Sequence, residues 1–142
     1  MNCLFCGIVS GEVSAAIVFE DDISLAFLDH RPLFPGHCLL VPRKHLETLN
    51  DLPSDLVGLF FERVQMLTRA VEVALAAEGT FVALNNRVSQ SVPHFHMHIV
   101  PRRKGDGLKG FFWPRNKYES EMHMLEVQRS IQAAIAALQK EL

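Results

Sequence analysis

The stretch that most constrains this chain is Pro93-His94-Phe95-His96-Met97-His98-Ile99-Val100-Pro101-Arg102, in which three histidines alternate with apolar residues. Successive side chains of a β-strand point to opposite faces. An extended run therefore puts His94, His96 and His98 on one face and Phe95, Met97 and Ile99 on the other. A helix would scatter the same imidazoles around its axis. Pro93 and Pro101 suit the ends of a strand better than its middle. A single strand histidine is ordinarily a hydrogen-bonded side chain, but three in strict alternation gather groups that act as base, nucleophile and metal ligand near neutral pH.

What surrounds this run is expected to be one soluble domain spanning residues 1–142, 49% hydrophobic and 21% charged. A net charge of −2 gives no sign of a general nucleic-acid or membrane-surface binder, although Arg102, Arg103 and Lys104 directly follow the histidines. No apolar run reaches the roughly 18–20 residues of a membrane span, and the N-terminus lacks the pattern of a secretory signal. Three cysteines fit a reducing compartment better than a disulfide scaffold. The cytoplasm is the expected location.

Taken in order, residues 3–9 read as a short helical turn carrying Cys3-x-x-Cys6. That pair is half a zinc site, a redox pair, or two small buried hydrophobes; zinc would need two further ligands, and the chain offers His45 and His94. Ala16–Glu20 and Ser24–Asp29 read as strands joined at Asp21-Asp22, with Asp29 closing the second. Arg31–Gly36 is a loop broken by two prolines and a glycine. His37–Val41 is nearly continuous in apolarity, as in a strand buried on both faces, with Cys38 as core packing. Pro53–Ala77 is the main helix: Leu56, Leu59, Phe60, Val64, Leu67, Val71 and Leu75 form its apolar stripe, and Gly79 is its stop. Val82–Leu84 is a further strand and Asn85–Gln90 a polar loop into the histidine run. Gly105-Asp106-Gly107 and Gly110–Arg115 form a loop whose Phe111, Phe112 and Trp113 need a surface to cover them. Glu121–Leu142 reads as a helix packing through Leu125, Ile131, Ile135 and Leu138. The order strand-strand-strand-helix-strand-strand-helix, with short connections, favours an α+β fold, an antiparallel sheet with helices on one face.

The histidine run resembles the His-φ-His-φ-His-φ-φ signature of the histidine triad (HIT) family, φ being apolar. The resemblance extends to Asn85 and Gln90-Ser91-Val92-Pro93-His94, to Leu28-Asp29, to Pro35-Gly36-His37 through Arg43-Lys44-His45, and to Cys3-Leu4-Phe5-Cys6-Gly7-Ile8, which places it nearest the Hint-like branch. It implies an antiparallel five-stranded sheet with a main helix and a C-terminal helix, pairing into a two-fold homodimer. It implies a catalytic set in which His96 is the nucleophile on the α-phosphate of a nucleotide, His98 orients it or assists the leaving group, and His37 supports the triad. Ser91, Asn85 and Gln90 would donate to phosphate oxygens or the leaving group. Phe5, Ile8 and Phe27 would sandwich a base, and Asp29 would hold the ribose hydroxyls. Cys3, Cys6, His45 and His94 would bind a structural zinc, with no organic cofactor needed.

The implied activity is hydrolysis of a purine nucleoside 5′-phosphate derivative through a nucleotidyl-histidine, adenosine phosphoramidase-like. A dinucleoside polyphosphate hydrolase or phosphorylase would use the same nucleophile, and a nucleotide-binding regulatory or interaction protein is the reading from another class. The chain departs from the family pattern where a glycine-rich loop usually precedes the triad. Asn85-Asn86-Arg87-Val88-Ser89-Gln90 has no glycine there, and the Arg87 guanidinium suits a phosphate.

Overall fold

The computed structural model describes residues 2–108 and 115–141. Two units are distinguished, Met1–Asp106 and Gly107–Leu142. The first holds α1 (Leu4–Ser10), β1 (Ile17–Glu20), β2 (Ser24–Leu28), β3 (Cys38–Pro42), a short 3₁₀ turn (Leu49–Asp51), α2 (Ser54–Leu75), β4 (Gly79–Ala83) and β5 (Met97–Arg102). The strands form one five-stranded sheet in the order β1-β2-β3-β5-β4, and every neighbouring pair is antiparallel. The second unit holds α3 (Glu121–Gln139), opened by the Ser120 side chain accepting from the His123 amide. No described helix is long and apolar enough to cross a membrane.

Strand alternation sorts the interior into two layers. Ala26, Cys38, Leu40, Phe95, Met97 and Ile99 pack with Phe60, Val64, Leu67 and Val71 of α2. Leu25, Phe27, Leu39 and Val41, which alternate with the first set along β2 and β3, pack instead with Phe5 and Ile8 of α1. Helices therefore cover both faces of this sheet rather than one. The short α1 reads too weakly in sequence to reveal its apolar side, because two turns give no period to measure.

Several expected boundaries shift for identifiable reasons. β5 begins at Met97, not His94. Its register with β3 (Cys38↔Ile99, Leu39↔His98, Leu40↔Met97) would bring Pro42 opposite Phe95 two residues on, and proline has no N–H to continue the ladder. The Phe95 amide donates to Leu46 O instead. At the other end β5 runs through Pro101. The Glu78 amide donates to Arg102 O, so Arg102 faces β4 and Pro101 faces the opposite side, where β3 pairs only as far as Ile99. α2 stops at Leu75 because Ala76 turns left-handed at φ 50°, its amide closing on Glu72 O and Val73 O. Gly79 is then the first residue of β4 rather than the helix stop. Leu59, placed in the α2 stripe by its spacing, is exposed. Gly36, at φ +100°, is required: a Cβ there would meet Leu75 Cγ at 2.9 Å. In the second unit, Ile131, Ile135 and Leu138 of α3 are exposed rather than packed. The aromatic cluster Phe111-Phe112-Trp113 lies outside the described residues.

Candidate active site

The layer between the sheet and α1 opens into a cavity of about 610 Å³, within the usual size of small-molecule sites. Phe5, Ile8, Phe27, Leu39 and Val92 line its apolar part, while Asp29, Ser91, His96 and His98 bring polar groups to it. Phe5 stands edge-on to Phe27, centroids 5.4 Å apart, and edge-on to the His96 ring at 5.0 Å. The expected base-binding trio, the ribose aspartate, the serine and two triad histidines thus share one space.

Hydrogen bonds fix how each imidazole is presented. His96 Nδ1 lies 2.7 Å from the carbonyl oxygen of His94. A carbonyl only accepts, so Nδ1 carries the proton and the neutral ring keeps a lone pair on Nε2. Burial lowers the His96 pKa; the bond to His94 O and the Asp29 charge act in the opposite direction. Burial, and then the neighbouring His96 and His37, push His98 down to about 4. His98 Nδ1 lies 3.0 Å from His37 Nε2, and the Leu33 amide donates to His37 Nδ1 at 3.1 Å. His37, in the buried turn before β3, is itself lowered by burial, against the pull of Asp29 3.8 Å away. Asp29 is aimed by the Arg31 amide, which donates to its Oδ1 at 2.9 Å. The arrangement offers an unprotonated imidazole nitrogen, a neighbouring imidazole donor and a carboxylate, all at the wall of an apolar pocket.

Two side chains expected at the phosphate are used elsewhere. Asn85 Nδ2 donates to Ser89 O, and Gln90 accepts from the Arg87 amide while donating to Glu47 O. Neither lines the cavity. The reason lies in the loop: Arg87 and Ser89 sit at φ 68° and 59°, the left-handed region that glycine would occupy freely. Without glycine, side-chain bonds from Asn85 and Gln90 hold the strained backbone. Arg87 is exposed.

A second cluster joins the first through His94. The ligand atoms of Cys3, Cys6, His45 and His94 all lie within 4.8 Å of one another. Cys6 Sγ is 3.2 Å from His45 Nδ1 and 3.6 Å from His94 Nδ1, and Cys3 Sγ is 3.5 Å from His94 Nδ1. Zinc bonds to sulfur and nitrogen, at a tetrahedral angle, would put those atoms roughly 3.5 Å apart. His94 Nε2 donates to Pro42 O at 2.9 Å, which leaves its Nδ1 lone pair facing the sulfurs. Burial and the Cys3 thiol raise the Cys6 pKa, a bias that a divalent cation reverses. The donor set, its spacing and the bond from His94 Nε2 to Pro42 O fit a tetrahedral metal.

Asp29, His37 and His98 also come within 4.8 Å, but His37 cannot serve as a metal ligand while its Nδ1 accepts from Leu33. A neutral ring in that state carries its proton on Nε2, the nitrogen facing the other two groups.

Cavity residues not assigned a site role from sequence include Leu39, Val92, Val13 and Ala15. Leu39 was accessible in principle as the i+2 neighbour of His37 on the same strand face; the others lie in irregular backbone that has no period.

Comparison with known proteins places the chain among histidine triad proteins. A family model described as the HIT domain matches residues 10–105. The protein Hit of Bacillus subtilis is 36% identical over 138 residues, covering 95% of this chain and 92% of that protein. The adenosine 5′-monophosphoramidase of Schizosaccharomyces pombe is 34% identical over 116 residues, covering 80% of this chain and 84% of the relative. Among solved structures, a zinc-bound histidine triad family protein from Mycobacterium smegmatis superposes with a TM-score of 0.72 at 36% identity, covering 100% of this chain and 99% of that one.

Proposed function

The chain belongs to the HIT family, and on that premise we propose that it is a nucleotide hydrolase cleaving adenosine 5′-phosphoramidate-like substrates at the α-phosphorus. The observation that carries the reading is the His96 side chain, held by its Nδ1–H on the His94 carbonyl with Nε2 left to the cavity. Nε2 attacks phosphorus as the bond to the leaving amine breaks, and the amine departs with a proton from solvent. Water then attacks phosphorus, the P–N bond to His96 breaks, and the attacking water gives up a proton. Splitting one displacement into two is the advantage of covalent catalysis. Phe5, Ile8 and Phe27 sandwich the purine, Asp29 accepts from both ribose hydroxyls, and Ser91 with His98 donates to phosphoryl or leaving-group atoms. The named activity of the S. pombe relative supports the choice of leaving group.

Zinc, held by Cys3, Cys6, His45 and His94, ties α1 to the start of the histidine run and is structural in this reading; it supplies folding stability, not a reacting group. A two-fold homodimer is the assembly we propose, which light scattering at micromolar concentration tests. The activity is tested by comparing turnover of adenosine 5′-phosphoramidate with that of a diadenosine polyphosphate, followed by rapid-quench capture of the nucleotidyl group. Preferential cleavage of the phosphoramidate with label on His96 is expected. Faster cleavage of the polyphosphate would move the assignment to the other leaving group. Tight nucleotide binding without turnover of either would make the protein a binding module.

A further inference from the structure

We propose that the main-chain amide of Leu33 is a positioning group for the third triad histidine: acting through His37, it holds His98 as a neutral imidazole whose one proton sits on Nε2. The inference rests on reading the cavity as the hydrolase site, but the bonding argument stands on its own.

The Leu33 amide donates to His37 Nδ1 at 3.1 Å. A nitrogen that accepts carries no proton, so neutral His37 is protonated on Nε2. That nitrogen is 3.0 Å from His98 Nδ1, and the pair is hydrogen-bonded only if His37 donates and His98 accepts. His98 is then protonated on Nε2 in its turn. One backbone N–H therefore sets the direction of the whole chain, Leu33 to His37 to His98, and neither ring can become an imidazolium without breaking a link. Burial favours the neutral form of both rings as well.

The opposing influence is Asp29, whose Oδ2 is 3.8 Å from His37 Nε2 and which draws His37 toward a charged ion pair. The amide holds His37 against that pull and leaves Asp29 free to accept from a ligand. The benefit falls on the nucleophile. The His98 and His96 rings are 5.0 Å apart, so a cationic His98 would draw electron density from the lone pair that must attack. A neutral Nε2–H polarises a phosphoryl or leaving-group atom without that charge, a role neutral imidazoles fill elsewhere.

The side chain of Leu33 is 51% exposed, so its identity is free while its amide is not. This gives a clean pair of variants: Leu33→Ala keeps the donor and Leu33→Pro removes it. Imidazole NMR of the full chain at neutral pH reads the tautomers directly. The wild type and Leu33→Ala should show His37 and His98 neutral and protonated on Nε2. Leu33→Pro should lose that signature at His37. Its turnover of adenosine 5′-phosphoramidate should fall roughly 10- to 100-fold with KM nearly unchanged.

Wild-type His98 found protonated on Nδ1, or charged, would overturn the proposal even if Leu33→Pro did not fold. Unchanged tautomers in a folded Leu33→Pro would overturn the role of the amide. A wild type that shows the expected tautomers but turns over no phosphoramidate would instead sink the hydrolase reading.

Discussion

Two groups of imidazoles lie side by side in this molecule and are prepared for opposite tasks. At His94, the partner of Nε2 is a carbonyl, Pro42 O, which takes the ring proton and turns a bare Nδ1 toward two sulfurs. At His37, the partner of Nδ1 is a backbone amide, which forces the proton onto Nε2 and closes that nitrogen to metal. The same side chain becomes a ligand or a relay according to whether the main chain offers it an acceptor or a donor. Residue type alone does not distinguish them, and proximity does not either, since both groups gather their ligand atoms within 4.8 Å. His94 belongs to both: its ring faces Cys3, Cys6 and His45, and its carbonyl aims His96.

The most severe way to separate the two groups is His96→Ala. It should cut turnover by about 10⁴-fold or more while leaving metal content and nucleotide binding near wild type, measured by single-turnover assay, metal analysis and calorimetry. Retained turnover, or a label trapped on His98, would reverse the roles within the run.

Removing the other group should act on stability instead. Cys6→Ala, or a chelator, should cost about 4 kcal/mol when free zinc stands at a thousandfold its Kd, seen as a fall in denaturation midpoint together with loss of stoichiometric zinc. His98→Ala should keep the metal. If Cys6→Ala were as stable as the wild type and the purified protein held no zinc, the cluster would be no metal centre.

Phe5 bridges the two, lying between Cys3 and Cys6 in sequence and against both the His94 and His96 rings in space. Phe5→Ala should cost about 3 kcal/mol in stability and also weaken nucleotide binding, whereas Phe60→Ala, on the other face of the sheet, should destabilise without touching affinity in the molecules that remain folded.

Acid should test the relay side. His98 titrates near 4 when folded, against an ordinary 6.5, so the unfolded chain binds more protons in that window. Stability should therefore rise with pH from about 4 to 6.5 and be flat in this contribution above it. His98→Asn should shallow that slope in urea titrations at stepped pH, and an unchanged slope would assign the acid sensitivity elsewhere.

The smallest expected effect is at the loop. Arg87→Gly relieves a left-handed residue and should stabilise by about 0.5 kcal/mol after the entropy of the added glycine is deducted. A large rise in KM in the same variant would mark the guanidinium as a phosphate contact.

The alternation of residues 94–99 carried most of what was legible in the sequence. It separated the apolar set Phe95, Met97 and Ile99 from the histidines and so anticipated the layer beneath α2 and the histidine face opposite it, but not the covering of that second face by α1. The four donors Cys3, Cys6, His45 and His94 followed from the family resemblance and do converge. What escaped was set by the main chain. The Leu33 amide has no side-chain signature, so the direction of the His37–His98 bond could not be read. Asn85 and Gln90 have side chains suited to phosphate, and only the left-handed φ at Arg87 and Ser89 explains why the loop uses them for itself. The ends of β5 followed proline geometry at Pro42 and Pro101 that depends on which neighbour each residue faces. The apolar positions of α3 have a helical period, but a period predicts a face and not what covers it.

The alternation along β5 also bears on folding fidelity. A strand can pair one residue out of step with little change in its backbone bonds, and in many sheets such an error is distinguished only by its apolar pattern. Here a slip by one would drive His96 and His98 into the layer beneath α2 and turn Met97 and Ile99 toward the cavity, so the misregistered chain would bury unpaired imidazoles and lose its packing in the same event. The wrong register is thus penalised twice over. The histidines that equip the site therefore also help to specify the alignment of the strand.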